Sequence, residues 1–438
     1  MTASTPLVET TGGALARNAG YNLLGQALPL AVGVVAMPVV ASHLGAARFG
    51  VLGLIWAVVG YFGLLDLGLG RATTKYVATC LARGDLATLR SMATLSVLLQ
   101  IGLGVAGGIG LALLTPWLVG HAMSVPPPLV PEVKGAFFTL AGSIPLVSAS
   151  AALRGVTEAA QRFDLVNLVR APTAAAMFAV PAAVAAAGGG LVAIVAGLLV
   201  VRLVAAWAFA SVIPRAMPGF SWEFTPAWRL FRPLASYSAW TAISNLVSPL
   251  LSYLERFFLA ALAGIAAVGY YTGPAEAVTR LLIVPAALAG ALFPAVSAAD
   301  NAEAGQRGER LAATSLRYLL FTLAPVALVL VLLAEPIVRL WLGADYASRG
   351  AGAFAILAVG VLVNGLAHVP SAYLFGRGRP DLPAKFHLIE LPLYALAGWF
   401  LIRAYGITGA ALAWTSRVTV DALLLFAAMR HVTGRAQR

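Results

Sequence analysis

Across 438 residues the chain is 60% hydrophobic and only 11% charged, with a mean hydropathy of +0.88. That leaves too little polar surface to cover a soluble globule and points to a polytopic membrane protein. The net charge of +12 must be sorted by side of the membrane before it is read as a nucleic-acid signal, and the single cysteine, Cys80, excludes a disulfide framework or a cysteine-rich metal site.

The first twenty residues carry no basic residue before Arg17 and no short apolar run ending in a small-residue cleavage site, so no removable leader is expected. From Arg17 to Ala78 two apolar runs flank a turn at Leu44-Gly45. Each exceeds the roughly 20 residues that a helix needs to cross hydrocarbon, which makes the stretch a membrane hairpin. Asn18, Asn22 and Gln26 fall at i, i+4 and i+8 with Gly25 beside them and form one polar stripe on the first helix. Such a stripe either lines a wet cavity or bonds neighbouring helices together. Continuing along the chain, spans are expected near 17–42, 47–70, 91–116, 133–155, 164–187, 190–213, 233–262, 266–297, 311–334, 351–376, 383–404 and 408–430, an all-α chain of about twelve helices. Prolines in helix 1 (Pro29, Pro38) and helix 8 (Pro274, Pro285, Pro294) are expected to kink them.

With the N-terminus inside, 20 of the 29 Lys and Arg fall on the inner side, five outside and four within spans. This bias places both termini in the cytoplasm and accounts for most of the basicity without nucleic acid. The stretch 214–232, in which Trp222, Trp228 and Phe231 interleave with Arg215, Arg229 and Arg232, reads as a cytoplasmic linker at headgroup level between lobes 1–213 and 233–438. The two lobes repeat one another at an offset of roughly 217 residues. Leu44–Gly50 meets Ala263–Gly269, Pro116 meets Pro336, Gly135-Ala136-Phe137 meets Gly352-Ala353-Phe354, Arg162-Phe163-Asp164 meets Arg379-Pro380-Asp381, and Arg202 meets Arg417. Two six-helix lobes inserted the same way up are related by an axis along the membrane normal, and rocking about a cleft between them gives alternating access.

Eight ionisable residues fall inside the expected spans: Arg202, Glu255, Arg256, Glu276, Arg280, Glu390, Arg417 and Asp421. Facing lipid, each would cost about 2.5–3.5 kcal/mol near a helix centre, so they must be paired, near the interface or in water. Glu276 with Arg280, and Arg417 with Asp421, are spaced i, i+4 and are expected to pair. Arg202 has Ala206 where its repeat mate has Asp421; it takes a partner from another helix or is a cationic site. His368 lies mid-span as a proton-coupling candidate or a hydrogen-bonded bystander, while His43 and His121 have no metal-ligand spacing.

The first hairpin, with Asn18, Gly25-Gln26, LGAARFG and LLDLGLGRATTKYVA, together with Leu254-Glu255-Arg256 before GIAAVGYY, the run Arg280-Leu281 to Pro294 and Ser297, and AYLFGRGRP at 372–380, resembles the oligosaccharide flippases of the multidrug/oligosaccharidyl-lipid/polysaccharide exporter superfamily. The resemblance spans essentially the whole chain. It implies a MATE-like fold in the bacterial inner membrane and carriage of undecaprenyl-diphosphate-linked repeat units outward for O-antigen, capsule or exopolysaccharide synthesis, alongside a polysaccharide polymerase and glycosyltransferases. It also places helices 1, 2, 7 and 8 around the cleft. On this reading Arg280 and Arg256, helped by Arg17, are expected to bind diphosphate. Asn18, Asn22, Gln26, Arg71, Lys75 and Arg202 are further substrate contacts, and Asp66, Glu255, Glu276 and His368 serve gating or ion coupling. No cofactor is expected, and the coupling ion, H+ or Na+, is left open.

Two other classes compete. A cation-coupled multidrug exporter of the same superfamily wants an acidic cluster in the first lobe, where only Asp66 lies deep enough, and a positive cleft repels cationic drugs. A membrane polymerase or ligase needs an outer domain, yet the longest outer connection, Thr115 to Glu132, is Pro-rich and almost without catalytic side chains, so no enzyme is expected.

Overall fold

A computed structural model of the chain describes residues 12–64, 69–222, 246–247, 250–297 and 302–436, and among them the only regular structure is helical. In chain order the helices are α1 (Gly12–Leu64), α2 (Leu69–Arg83), α3 (Leu86–Trp117), α4 (Val130–Ala159), α5 (Phe163–Ala186) and α6 (Leu191–Ala216). They continue as α7 (250–262), α8 (Ile265–Thr279), α9 (Ile283–Ser297), α10 (Ala302–Leu332), α11 (Ala334–Leu342), α12 (Ala344–Gly376) and α13 (Asp381–Ala436). Eight stretches among the described residues are long and apolar enough to cross a bilayer.

Two of the eight, 25–63 and 381–433, would be roughly 60 and 80 Å long as straight rods, far beyond a hydrocarbon core of about 30 Å. Each is broken at a glycine, Gly45 at φ 70° and Gly406 at φ 54°, and so doubles back as two crossings. With α7 and the α8–α9 rod, the architecture is the all-α, twelve-crossing one expected from the apolar runs. The α8–α9 rod narrows to a 3-10 turn at Arg280–Leu282, where Pro285 supplies no N–H to the carbonyl of Leu281. The exit LGRATTKYVATCLAR is helical as α2, with Gly84 at φ 69° and the Asp85 carboxylate accepting from Thr88 N at 3.0 Å to start α3.

The repeat is carried into the backbone. Gly45 (φ 70°, ψ 168°) and Gly264 (φ 88°, ψ 161°) break the chain in the same way at matched positions. Gln161 and Gly378, 217 residues apart, both take positive φ, and the ion pairs that follow are copies: Arg162 Nε donates to Asp164 Oδ1 at 2.9 Å, and Arg379 Nε to Asp381 Oδ1 at 2.9 Å.

The chain divides into two compact units. The first comprises residues 1–44 and 55–249, and its core packs Val77, Leu89, Leu95, Val156 and Ile213 from α2, α3, α4 and α6. The start of the expected linker packs onto this core. Phe220 is buried and meets Trp222 edge to face at 5.1 Å, and Arg90 Nη2 donates to the Gly219 carbonyl at 2.6 Å. Residues 223–232 lie outside the described residues.

The second unit comprises 45–54 and 250–438, with α12 at its centre against α8, α9, α10, α11 and α13. Inside it the two repeats cross reciprocally: a Cβ at Gly50 would strike the Ile265 carbonyl, and one at Gly269 would strike the Ala46 carbonyl. Ala46 and Ile265 are themselves repeat mates, as are Gly50 and Gly269, so the crossing is two-fold in character. Gly50→Ala and Gly269→Ala are each expected to cost about 1–3 kcal/mol, since backbone cannot give way as a side chain can. Thermal melting in detergent that matches the wild type for both would remove the crossing as a stabilising contact.

Candidate functional site

Within the first unit, α1, α4, α5 and α6 enclose a cavity of about 250 Å³ whose walls include Arg154, Arg170 and Arg202. At about 30 Å³ per water this is room for roughly eight waters, the scale of a diphosphate rather than of an oligosaccharide. The three arginines form a ladder. Measured along the helices from the end shared by α4, α5 and α6, they sit at depths of roughly 8, 10 and 20 Å. Between them lie small or hydroxyl side chains, Ser150, Ala151, Thr173 and Ala174, which leave the space open.

Each guanidinium is held differently. Arg154 Nε lies 3.6 Å from Glu158 Oε1 one turn along α4, and the pair is half exposed. Arg170 Nη2 donates to Asn167 Oδ1 at 2.8 Å. Asn167 in turn lies against α1 at Gly25, where any Cβ would strike its side-chain amide, so the glycine of the polar stripe is what lets α1 approach this close. Arg202 meets Met177 Sδ at 3.7 Å and, among the described residues, no carboxylate. Arg154 thus has a carboxylate nearby and Arg170 is held by further contacts, while Arg202, among the described residues, is matched by no carboxylate. The cavity combines neutral walls with guanidinium donors at graded depth.

The repeat shows how deliberate this is. Arg170, Thr173, Arg202 and Ala206 in the first unit match His387, Glu390, Arg417 and Asp421 in the second. In the second unit Arg417 Nη1 has Glu390 Oε2 at 3.8 Å; in the first, the matching position is Thr173 and Arg202 has no such neighbour. The expected i, i+4 pair of Arg417 with Asp421 is replaced. Arg417 faces Glu390, and Asp421 faces His387 at 3.9 Å, because the break at Gly406 folds the two halves of α13 against each other and offers cross-helix partners.

The other expected site residues fall in three groups. Glu255, Arg256, Glu276 and Arg280 come together in the second unit as one network. Arg256 Nη2 donates to Glu276 Oε1 at 2.9 Å, Arg280 Nη2 to Glu276 Oε2 at 3.0 Å, and Tyr394 Oη to Glu255 Oε2 at 2.8 Å. Arg256 is only 4% exposed, so the expectation that it holds diphosphate meets a side chain whose charge is already matched inside the protein. Arg280 is 39% exposed beside the same carboxylate. His368 Nδ1 bonds the Asn364 carbonyl at 2.9 Å, the bystander arrangement. Gln26 is half-buried on α1 and takes part in other contacts. Arg17, Asn18, Asn22, Arg71 and Lys75 are on helices, but their side chains lie outside those described, and Asp66 lies outside the described residues altogether.

Sequence reasoning missed Arg154 and Arg170, which it counted among ordinary inner-side charges. The signal that could have found Arg170 was the repeat register, which sets it opposite a histidine in the other half.

The sequence model of the family described as Polysaccharide biosynthesis protein matches residues 15–299. A Shigella flexneri protein described as "Putative O-antigen transporter" is 27% identical over 409 residues, spanning 93% of this chain and 96% of that protein. Among solved structures, an inward-facing multidrug resistance MATE family transporter of the MOP superfamily aligns with a TM-score of 0.78 at 16% identity, covering 95% of this chain and 98% of that one. The lipid II flippase MurJ aligns at 0.73 with 13% identity over 95% and 87%. A Pyrococcus furiosus MOP superfamily transporter described as having a binding pocket of reverse polarity aligns at 0.71 with 16% identity over 98% and 100%. At these identities the structures speak for the fold.

Proposed function

The chain belongs to the polysaccharide biosynthesis protein family, and from that premise we propose that it is a flippase carrying undecaprenyl-diphosphate-linked oligosaccharide from the inner to the outer leaflet by alternating access. The observation that carries this reading is the cavity of Arg154, Arg170 and Arg202, of diphosphate scale, whose deepest arginine, Arg202, is matched by no carboxylate among the described residues. A lipid diphosphate bears about two negative charges and a hydrated sugar, neither of which enters hydrocarbon unaided. The likeness to an O-antigen transporter over almost the whole chain favours a sugar-lipid cargo over a drug. An arginine-lined cavity also disfavours cationic drugs.

In this reading the protein is a transporter and not an enzyme. It sits in the bacterial inner membrane with both termini cytoplasmic, receives its cargo from glycosyltransferases and passes it to a polymerase. Arg280, half exposed, serves as a second phosphate contact, and Arg17, Arg71 and Lys75 meet the diphosphate at the inner surface.

Vesicles containing only this protein, loaded with lipid-linked oligosaccharide, are expected to show protein-dependent movement of the sugar to the opposite leaflet, read by enzymatic oxidation of the exposed sugar. Arg280→Glu is expected to slow this at least tenfold at unchanged protein level. Extrusion of a cationic dye in place of sugar movement would overturn the proposal and install the drug-exporter reading.

A further inference from the structure

The half of the repeat that does not form the cavity holds an arrangement for which the flippase reading has no use. His387 and Glu390 lie one turn apart on the first half of α13, and Arg417 and Asp421 one turn apart on the second. Glu390 is 3% and Asp421 7% exposed. Both oxygens of Glu390, Oδ1 of Asp421, Nδ1 of His387 and Nε of Arg417 are sealed from the surface without a hydrogen-bond partner. Such atoms are costly to leave unmatched and mark a place where something binds.

α7 contributes Glu255, which accepts from Tyr271 of α8 at 3.4 Å and from Tyr394 at 2.8 Å, and the Tyr394 ring lies 5.9 Å from the Arg417 guanidinium. α12 presents Val363, Ala367 and Leu374 beside Ala422, and its His368 is bonded to Asn364. Arg310 and Arg317 of α10 are exposed, and Lys385 pairs with Asp381 at the start of α13. Among the described residues, the ionic network of this unit thus contains four carboxylates, Glu255, Glu276, Glu390 and Asp421, against three guanidiniums, Arg256, Arg280 and Arg417.

One further positive charge closes the balance. A metal ion suits the place poorly, with a fixed guanidinium 3.8 Å from Glu390, and among the described residues no three His, Cys, Asp or Glu side chains group closely enough to hold one. A proton fits, because it sits on a single oxygen or nitrogen and needs no coordination shell. His387, 22% exposed and the least buried of the three acid-base groups, provides its way in from solvent.

We propose that His387, Glu390 and Asp421 form a proton-binding site inside the second unit, with Arg417 as its fixed counter-charge, and that one proton is bound and released there in each transport cycle. The step is a transfer between water and a carboxylate oxygen, relayed through the imidazole, with no other bond made or broken. The site stands on its own geometry; only its place in a cycle rests on the transporter reading.

The test is infrared difference spectroscopy of the full-length protein in lipid nanodiscs, titrated across roughly pH 5 to 8, where an imidazole and a perturbed carboxyl exchange protons. The expected result is a protonated-carboxyl band in the wild type that disappears as pH rises. Glu390→Gln and Asp421→Asn, which preserve size and shape, should each remove or displace it, and His387→Gln should slow its response to a pH jump several-fold. Absence of a titrating band in the wild type overturns the proposal without recourse to any variant, as does a band unchanged in all three, or one displaced by Na+ at constant pH. If the band behaves as expected while wild-type vesicles move no lipid-linked sugar, the proton site survives and the flippase reading falls.

Discussion

Replacing Arg202 by Leu is expected to abolish sugar-lipid movement while leaving the protein as heat-stable as the wild type, or more so. The guanidinium sits mid-helix in α6 with Met177 Sδ at 3.7 Å and no carboxylate among the described residues, so the fold gains nothing from its charge. Keeping it there costs about 2.5–3.5 kcal/mol, which an apolar leucine does not incur. If its work is to grip an anion in the cavity, removal of that contact costs about 2–5 kcal/mol of binding, a loss of roughly 30- to several-thousand-fold. A stability that rises as activity vanishes is the signature of a site residue. Melting that falls by several degrees with transport intact would make Arg202 a packing element and remove the deepest rung of the ladder. Arg202→Lys should sit between these limits, because an ammonium keeps the charge but not the forked geometry.

Glu276→Ala should be the most destabilising single change in the second unit. Its carboxylate is shared by Arg256 at 2.9 Å and Arg280 at 3.0 Å, and Arg256 is 4% exposed. Removal leaves a buried guanidinium unmatched, for which about 3–5 kcal/mol is the usual cost. Combining Glu276→Leu with Arg256→Met removes both charges together and should restore stability to the wild-type level or above it, since buried pairs are often no better than apolar residues of the same volume. Detergent melting curves of the single and double variants measure the first part. Sugar movement by the double variant measures the second: retained transport assigns Arg256 to the fold, and lost transport in a stable protein returns it to the diphosphate contact expected from sequence.

The contrast between Arg256 and Arg202 shows where sequence stops. Both are arginines inside apolar helices, and the cost of a lone charge in hydrocarbon flags both equally. Whether such a charge is matched depends on a residue 20 positions away for Arg256, Glu276 on α8, and on the lack of one for Arg202. Helical spacing reveals partners at i, i+4, and so Glu276 with Arg280 was legible. It misled for Arg417 and Asp421, where the fold-back at Gly406 brings Glu390 and His387 into reach across the helix pair. Arg154 and Arg170 were invisible for the opposite reason. Near helix ends a basic residue costs little and follows the inside-positive bias, so nothing in the local sequence marks it as lining a cavity.

Hydrophobic run length, the inside-positive bias and the internal repeat follow from the sequence alone, because bilayer thickness and backbone hydrogen bonding dictate spans whatever the side chains later touch. The helical spans, the turn at Gly45 with its repeat mate at Gly264, and the match of Arg162-Phe163-Asp164 with Arg379-Pro380-Asp381 belong to that class. Only the tertiary structure decided what each buried charge touches. An ion pair is a matter of a few ångströms between helices distant in sequence, and those distances sealed Arg256 against Glu276, set Arg417 against Glu390, and left Arg202 facing an open cavity.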